Sequence, residues 1–176
     1  MGLLEARVHD LLKTWQQQRS VPPWPHALTM GRLVSRALRL RRSALIQTGC
    51  LPSTYAVSYL LPCLLSNQPI RLVTTAHRRN QITTETLPAL KTWLLTTPAS
   101  QRSLIWPDIL TPEEWLQTGN RDSHSAPSNP TLTIIEPAEH LEDWTRQFFS
   151  QHLDWSSLVA AFAQAPQRRE PVLTAW

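Results

Sequence analysis

The 176-residue sequence predicts an α/β domain: a mostly parallel sheet flanked by helices. Two observations carry that expectation. Short apolar runs (SALIQT at 43–48, IRLVTT at 70–75, SLIW at 103–106 and TLTIIE at 131–136) have the length and residue types of buried strands. Between them lie longer stretches whose apolar residues recur at helical spacing, and strands that alternate with helices of that length are joined by crossovers into parallel sheets. Hydrophobic residues make up 41% of the chain and charged residues 17%, which excludes a disordered charged tail. The length is enough to bury a core without staples.

The first element is an amphipathic helix over 3–18, with Leu4, Val8, Leu11, Leu12 and Trp15 on one face. Val21-Pro-Pro-Trp-Pro25 stops it, because three prolines forbid a regular helix there. A second helix follows from about Ala27 to Leu40. Met30, Leu33, Val34, Ala37 and Leu38 form its expected apolar face, and Arg32, Arg36 and Arg39 line the opposite side. The run Ser43–Thr48 then reads as a buried strand ending at Gly49, and Thr54–Leu65 as helix. Ile70–Thr75 is the second strand, followed by helical residues to about Leu95, and Ser103–Trp106 is a short third strand. Thr111-Pro-Glu-Glu114 has the pattern of a capping box, with Thr111 as N-cap and Glu114 reaching back. Gly119–Pro130 reads as a polar surface loop, Thr131–Glu136 as the strongest strand, and 141–149 and 154–163 as closing helices. The chain divides into an N-terminal helix and proline-rich connector (1–24), the α/β lobe (25–165) and a C-terminal tail (166–176).

Composition narrows the chemistry. Fifteen arginines accompany only two lysines, Lys13 and Lys91, and the four glycines are Gly2, Gly31, Gly49 and Gly119. Glycine-rich loops that end in a lysine are therefore scarce. Net charge is +4, which permits a phosphate or nucleic-acid partner without requiring one. Cys50 and Cys63 are too few for a disulfide framework or a structural zinc site. The most apolar run, Tyr55–Leu65, is interrupted by Ser58 and Pro62 and is shorter than a bilayer span. The N-terminus has no charged-then-apolar signal pattern. A cytoplasmic protein with no membrane partner is the expectation.

A parallel sheet places its ligand site beyond the carboxyl ends of its strands. Here those ends are Thr48-Gly49, Thr75-Ala76, Trp106-Pro107 and Glu136-Pro137. Read together, Gly49–Pro62, Leu72–Pro88 and Thr131–Asp143 resemble the nucleotide-binding lobe of a DinG-like helicase, a superfamily-two enzyme related to the repair helicases. The resemblance spans about residues 25–150 and rests on the order and spacing of the segments. It implies a three-layer P-loop NTPase (RecA-like) lobe, an ATP and magnesium site, and single-stranded DNA as partner. In that frame Gly49, Ser53, Thr54 and Tyr55 occupy the nucleotide-binding loop. Glu136 takes the catalytic and metal-binding acidic position, and Thr75, Arg78 and Arg79 take the segment that grips DNA.

The same resemblance exposes departures. Anchored on Tyr59-Leu-Leu-Pro62, the family's phosphate-binding lysine falls on Tyr55 and its magnesium-holding hydroxyl on Ala56. The water-activating glutamate falls on Pro137, with Glu139 or His140 as slipped alternatives, and the adenine-reading glutamine falls on Ala27. Two cysteines cannot hold the four-cysteine iron–sulfur cluster common in the family. The second lobe, with its arginine finger, does not follow in this chain. The implied function is a truncated or degenerate first helicase lobe, with weak or lost ATP and magnesium binding and no hydrolysis of its own. Its partners would be single-stranded DNA or a separate protein supplying the second lobe. The alternative is a non-catalytic interaction module that uses its eight tryptophans at a protein surface. Arg32, Arg36, Arg39, Arg41 and Arg42 form the densest basic group, readable as a nucleic-acid surface or as an ordinary solvated face. Trp15, Trp93 and Trp155 are expected in the core, and Glu113 and Glu114 as capping residues. His77 is expected at the surface.

Overall fold

The computed structural model describes residues 2–18, 24–97, 104–121 and 132–150. Helix α1 (Leu3–Gln17) is followed by α2 (Ala27–Leu40) and α3 (Pro52–Leu65). Strand β1 (Ile70–Thr74) leads into α4 (Ala76–Gln81), a π-helical segment (Ile82–Thr86) and α5 (Leu87–Thr96). Then come β2 (Asp108–Leu110), α6 (Pro112–Arg121), β3 (Leu132–Glu136), a short 3₁₀ turn (Ala138–His140) and α7 (Leu141–Phe149). The expected helix over 154–163, the tail after 166, Trp155 and most of the 119–130 loop lie outside the described residues.

Among the described residues the fold is α/β, mostly helical, with a three-stranded parallel sheet in the order β2-β1-β3. Register pairs Leu72 with Ile109 and with Ile134, and Thr74 with Glu136. Side chains alternate across a strand, so Ile70, Leu72 and Thr74 share one face of β1 while Val73 points to the other. All four are buried, and the central strand is therefore covered on both sides.

Helices α1, α2 and α3 pack together to build most of the core. Val8, Leu11, Leu12 and Trp15 meet Met30, Val34 and Leu38, and both groups meet Tyr59, Leu60, Leu61 and Leu64. Trp15 also packs edge-to-face on Trp93 of α5, with ring centroids 5.1 Å apart, and Trp93 Nε1 donates to Gln18 Oε1 at 2.6 Å. The expected core roles of these two tryptophans are thereby explained.

The buried line of α2 runs through Ala27, Met30, Gly31, Val34, Ser35 and Leu38. It is rotated from the expected face, and Leu33 is 48% exposed. Gly31 explains the rotation. A Cβ there would meet Leu12 Cδ1 at 2.3 Å and Val8 Cγ1 at 3.2 Å, with the Ser58 carbonyl at 3.5 Å. The absence of a side chain is what lets α1 and α3 close on this point. Pro62, inside α3, has no N–H to give the Ser58 carbonyl one turn back, and that carbonyl is the one facing Gly31.

Four sequence expectations need correction. Ser43–Thr48 is not a strand: it has no regular secondary structure and is largely exposed, with Leu45 88% accessible. Its two large apolar residues, Leu45 and Ile46, are adjacent, so only one can face the protein, and Ile46 is the one packed against the core. The segment pairs with none of the three strands. The third strand lies at Asp108–Leu110, after the SLIW run, because pairing with Arg71–Val73 places it there. Gly119–Arg121, expected in a loop, ends α6. The helical stretch after β1 is interrupted by the π segment, which ends just before Leu87-Pro88; a proline there cannot donate to the preceding turn. Among the described residues no helix is long and apolar enough to cross a membrane.

Candidate functional site

The carboxyl ends of β1 and β3 lie side by side, so the register itself brings Thr74 and Glu136 together. Helix α3 crosses the same end and presents Tyr55 and Tyr59, one turn apart and therefore on one face. Their ring centroids are 6.1 Å apart, and Trp24 stands 6.0 Å beyond Tyr55. Helix α4 begins at the end of β1. Thr75 is its N-cap, with Oγ1 accepting from the Arg78 N–H at 3.3 Å, and the helix's first turn carries Arg78 toward Glu136.

These pieces form a closed polar cluster. Glu136 and Arg78 are each about 5% exposed. Tyr59 donates its hydroxyl hydrogen to Glu136 Oε2, and Arg78 Nε stands 3.8 Å from the same oxygen. Arg78 Nη1 also donates to Gln81 Oε1 at 2.5 Å. Burial pushes the Glu136 carboxyl above the ordinary carboxylate range, against the opposing pull of Tyr59, Arg78 and Tyr55. Burial and the facing carboxylate push both tyrosine hydroxyls upward as well, Tyr59 most strongly. The arrangement stores one buried negative charge beside one buried positive charge. A buried pair of this kind is costly to break from one side only.

Each expected site residue has a definite place. Glu136 is buried under two tyrosines. Tyr55 is buried too, its hydroxyl directed at Glu136 and Thr48. Gly49 turns the chain with a positive φ of 63°, and a Cβ there would meet nothing within 4 Å, so the segment borders open space. Ser53 and Thr54 are exposed in the first turn of α3, whose N-cap, Leu51, makes no side-chain capping bond. Thr75 is occupied in capping α4. Arg79 donates from Nη1 to both carboxylate oxygens of Glu114, at 2.9 and 2.7 Å. Glu114 in turn accepts from the Thr111 N–H at 2.8 Å, while its own N–H donates to Thr111 Oγ1 at 3.3 Å. That is the capping box read from the sequence. The Thr111 N–H, and then Arg79, hold the Glu114 carboxyl below its usual range. His77 is exposed.

The structure thus joins Tyr55, Arg78 and Glu136, and it leaves Gly49, Ser53, Thr54 and Arg79 apart from them. Tyr59 and Thr74 were not singled out in the sequence. Tyr59 carries a signal all the same: a hydroxyl four residues from Tyr55 on an otherwise apolar helix needs a buried partner. Thr74 Oγ1, fully buried, makes no hydrogen bond among the described residues.

These residues do not fit a magnesium nucleotide. In the frame the expected resemblance implies, the lysine position would be the buried Tyr55, the hydroxyl position the buried Ala56 and the base position Pro137, while Glu136 Oε2 accepts from Tyr59 and faces Arg78. Among the described residues no three His, Cys, Asp or Glu side chains converge. Compared with protein-family models, curated proteins and solved structures, the chain matches none.

Proposed function

We propose that this chain is a non-hydrolysing lobe on the scaffold of a DinG-like helicase, which holds single-stranded nucleic acid without turning over ATP. The observation that carries this reading is the state of Glu136. It stands where a helicase lobe keeps its metal-binding carboxylate, yet it is buried, hydrogen-bonded to Tyr59 and paired with Arg78. Its Oε2 is already engaged by Tyr59 and faces Arg78, and the whole side chain is buried away from solvated ions. The parallel sheet, with its polar cluster at the carboxyl edge, agrees with descent from a P-loop scaffold. Fifteen arginines against two lysines agree with a phosphate-bearing partner.

The test has two arms. Purified protein should hydrolyse no ATP above background, with or without single-stranded DNA, and fluorescence anisotropy should detect oligonucleotide binding that weakens as salt rises. Turnover that Glu136→Ala abolishes would overturn the non-hydrolysing half. No oligonucleotide binding at low salt would overturn the other half. A second reading, a protein-interaction module, is favoured by one observation: Leu45 and Leu51 stand exposed on either side of Gly49. On that reading, light scattering at rising concentration reveals self-association that Leu45→Ser with Leu51→Ser removes.

A further inference from the structure

The sequence contains two tyrosines, Tyr55 and Tyr59, and the fold gives them one shared partner. They lie one turn apart on α3, and the hydroxyl of each is directed at the Glu136 carboxyl. Tyr59 is 2% exposed and belongs to the core. From it the aromatic rings lead outward. Tyr55 follows at 6.1 Å between centroids, and Trp24 at 6.0 Å from Tyr55. Trp24 is half-buried and stands edge-on to the exposed ring of His26 at 5.6 Å. An unbroken line of three rings thus runs from the surface to a buried phenol.

Indole and phenol rings give up a single electron more readily than the other aromatic side chains. Losing that electron turns a phenol into a strong acid, so a tyrosine is oxidised easily only where a base takes its proton in the same event. The base must lie within hydrogen-bond reach of the proton. Tyr59 meets that condition, because its hydroxyl hydrogen is already donated to Glu136 Oε2. Burial raises the affinity of this carboxyl for a proton, against the pull of Tyr59, Arg78 and Tyr55. The contact between Trp15 and Trp93 makes the contrast: Trp93 Nε1 donates to the neutral amide of Gln18, which takes no proton. Cys63, one turn beyond Tyr59 on α3, does not draw the oxidation further. Burial pushes its thiol up to about 12 and so keeps it protonated.

We propose that Trp24, Tyr55 and Tyr59 form a relay for one-electron oxidation, which ends in a neutral tyrosyl radical at Tyr59 with its proton held on Glu136. The co-reactant is a diffusible one-electron oxidant of high potential that meets Trp24 at the surface. It takes one electron from Trp24, and the indole radical cation regains an electron from Tyr59 by way of Tyr55. The Tyr59 O–H bond breaks as its proton forms a new O–H bond at Glu136 Oε2. In sum, Tyr59 loses one electron and one proton, the oxidant gains the electron, and Glu136 gains the proton. A one-electron reductant reverses the step. Arg78 Nε, 3.8 Å from the same oxygen, favours the ionised carboxyl and so draws the proton back to Tyr59 once the electron returns. The relay goes beyond the function proposed above and does not depend on it.

The experiment uses the full chain with tris(bipyridine)ruthenium(III), made by a laser flash in the presence of persulfate, as the oxidant. Transient absorption follows the rate, and electron paramagnetic resonance of freeze-trapped samples identifies the radical. Growth on ring-deuterated tyrosine separates the species, since only a tyrosyl spectrum then narrows. Wild type should yield a tyrosyl radical, Tyr59→Phe should lose it, and Trp24→Phe should lower its yield without changing its spectrum. Glu136→Gln, with the fold checked by circular dichroism, should form the radical about a hundredfold more slowly, the lower range of what a positioned base contributes. A second readout needs no variant. The groups facing Glu136 are Tyr55 and Tyr59 from α3, Arg78 from α4 and Glu139 from the 3₁₀ turn. Radical formation in wild type should be full at neutral pH and fall as pH drops through the folded-state value of Glu136, because the protonated carboxyl takes no second proton.

A spectrum of tryptophan radicals alone in wild type would overturn the relay. An undiminished tyrosyl signal in Tyr59→Phe would place the radical on Tyr55 and overturn Tyr59 as the terminus. An unchanged yield in Trp24→Phe would overturn the route. Formation that is as fast in Glu136→Gln as in wild type would overturn the carboxylate as proton acceptor. Should that variant fail to fold, the wild-type pH series decides the same point, and a rate that does not change with pH overturns it.

Discussion

Tyr59→Phe removes one hydroxyl from the cluster at the sheet's carboxyl edge and changes nothing else in the shape of α3. Its hydrogen bond is to a buried carboxylate, and bonds to charged partners are worth about 1.5–3 kcal/mol. For a chain of this size that is a fall in Tm of roughly 3–12 °C at neutral pH. The loss should also depend on pH. Glu136 has a raised pKa in the folded state, so the stability it contributes is fully present below the ordinary carboxylate range and is lost as pH rises through the folded-state value. Removing a donor to the charged form raises that value further. The penalty in Tyr59→Phe should therefore be largest at neutral pH and shrink toward about 1 kcal/mol once the carboxyl is protonated. Urea denaturation followed by tryptophan fluorescence across pH 4–8 measures both quantities. A loss below about 0.5 kcal/mol at every pH, or one that grows as pH falls, would refute the cluster as described.

Two further outcomes concern the scaffold. Gly31→Ala should destabilise the chain by about 1–3 kcal/mol in the same assay despite the better helix propensity of alanine, because its Cβ would meet Leu12 and Val8 where α1 crosses α2. Thr111→Ala should cost about 1 kcal/mol through loss of the α6 cap, measured by thermal melting, with little change in the spectrum of the remaining helices.

Much of the fold could be read from the sequence because local rules decide it. The bounds of α2 and α7 match the periodicity, and the Thr111–Glu114 box forms as its spacing implies. What escaped depends on partners far along the chain. SALIQT has strand composition, but strand identity requires pairing with a neighbour, and this segment pairs with none of the three strands and leaves Leu45 in solvent. Leu33 looked buried until Gly31 fixed which line of α2 its neighbours approach. At the site, Glu136 is legible as the residue that ends the TLTIIE strand and that the resemblance puts at the acidic position. That Arg78 and Tyr59 would meet it follows only from the sheet register and the crossing of α3, which no short motif encodes.

The sheet order has a consequence for assembly. Helices α1 to α3 occupy residues 3–65 and pack on one another, so a nascent chain can begin building this half as soon as it emerges. Strand β1 comes next but is the middle strand, and its neighbours begin only at residues 108 and 132. Closing those distant loops is the slow step in parallel pairing. Until it happens, Ile70 and Leu72 have only the helical half to lean on, and Arg78 has no Glu136 to receive it. Strand β3, the last of the described strands to be synthesised, thus delivers both the third member of this sheet and the charge that completes the buried pair.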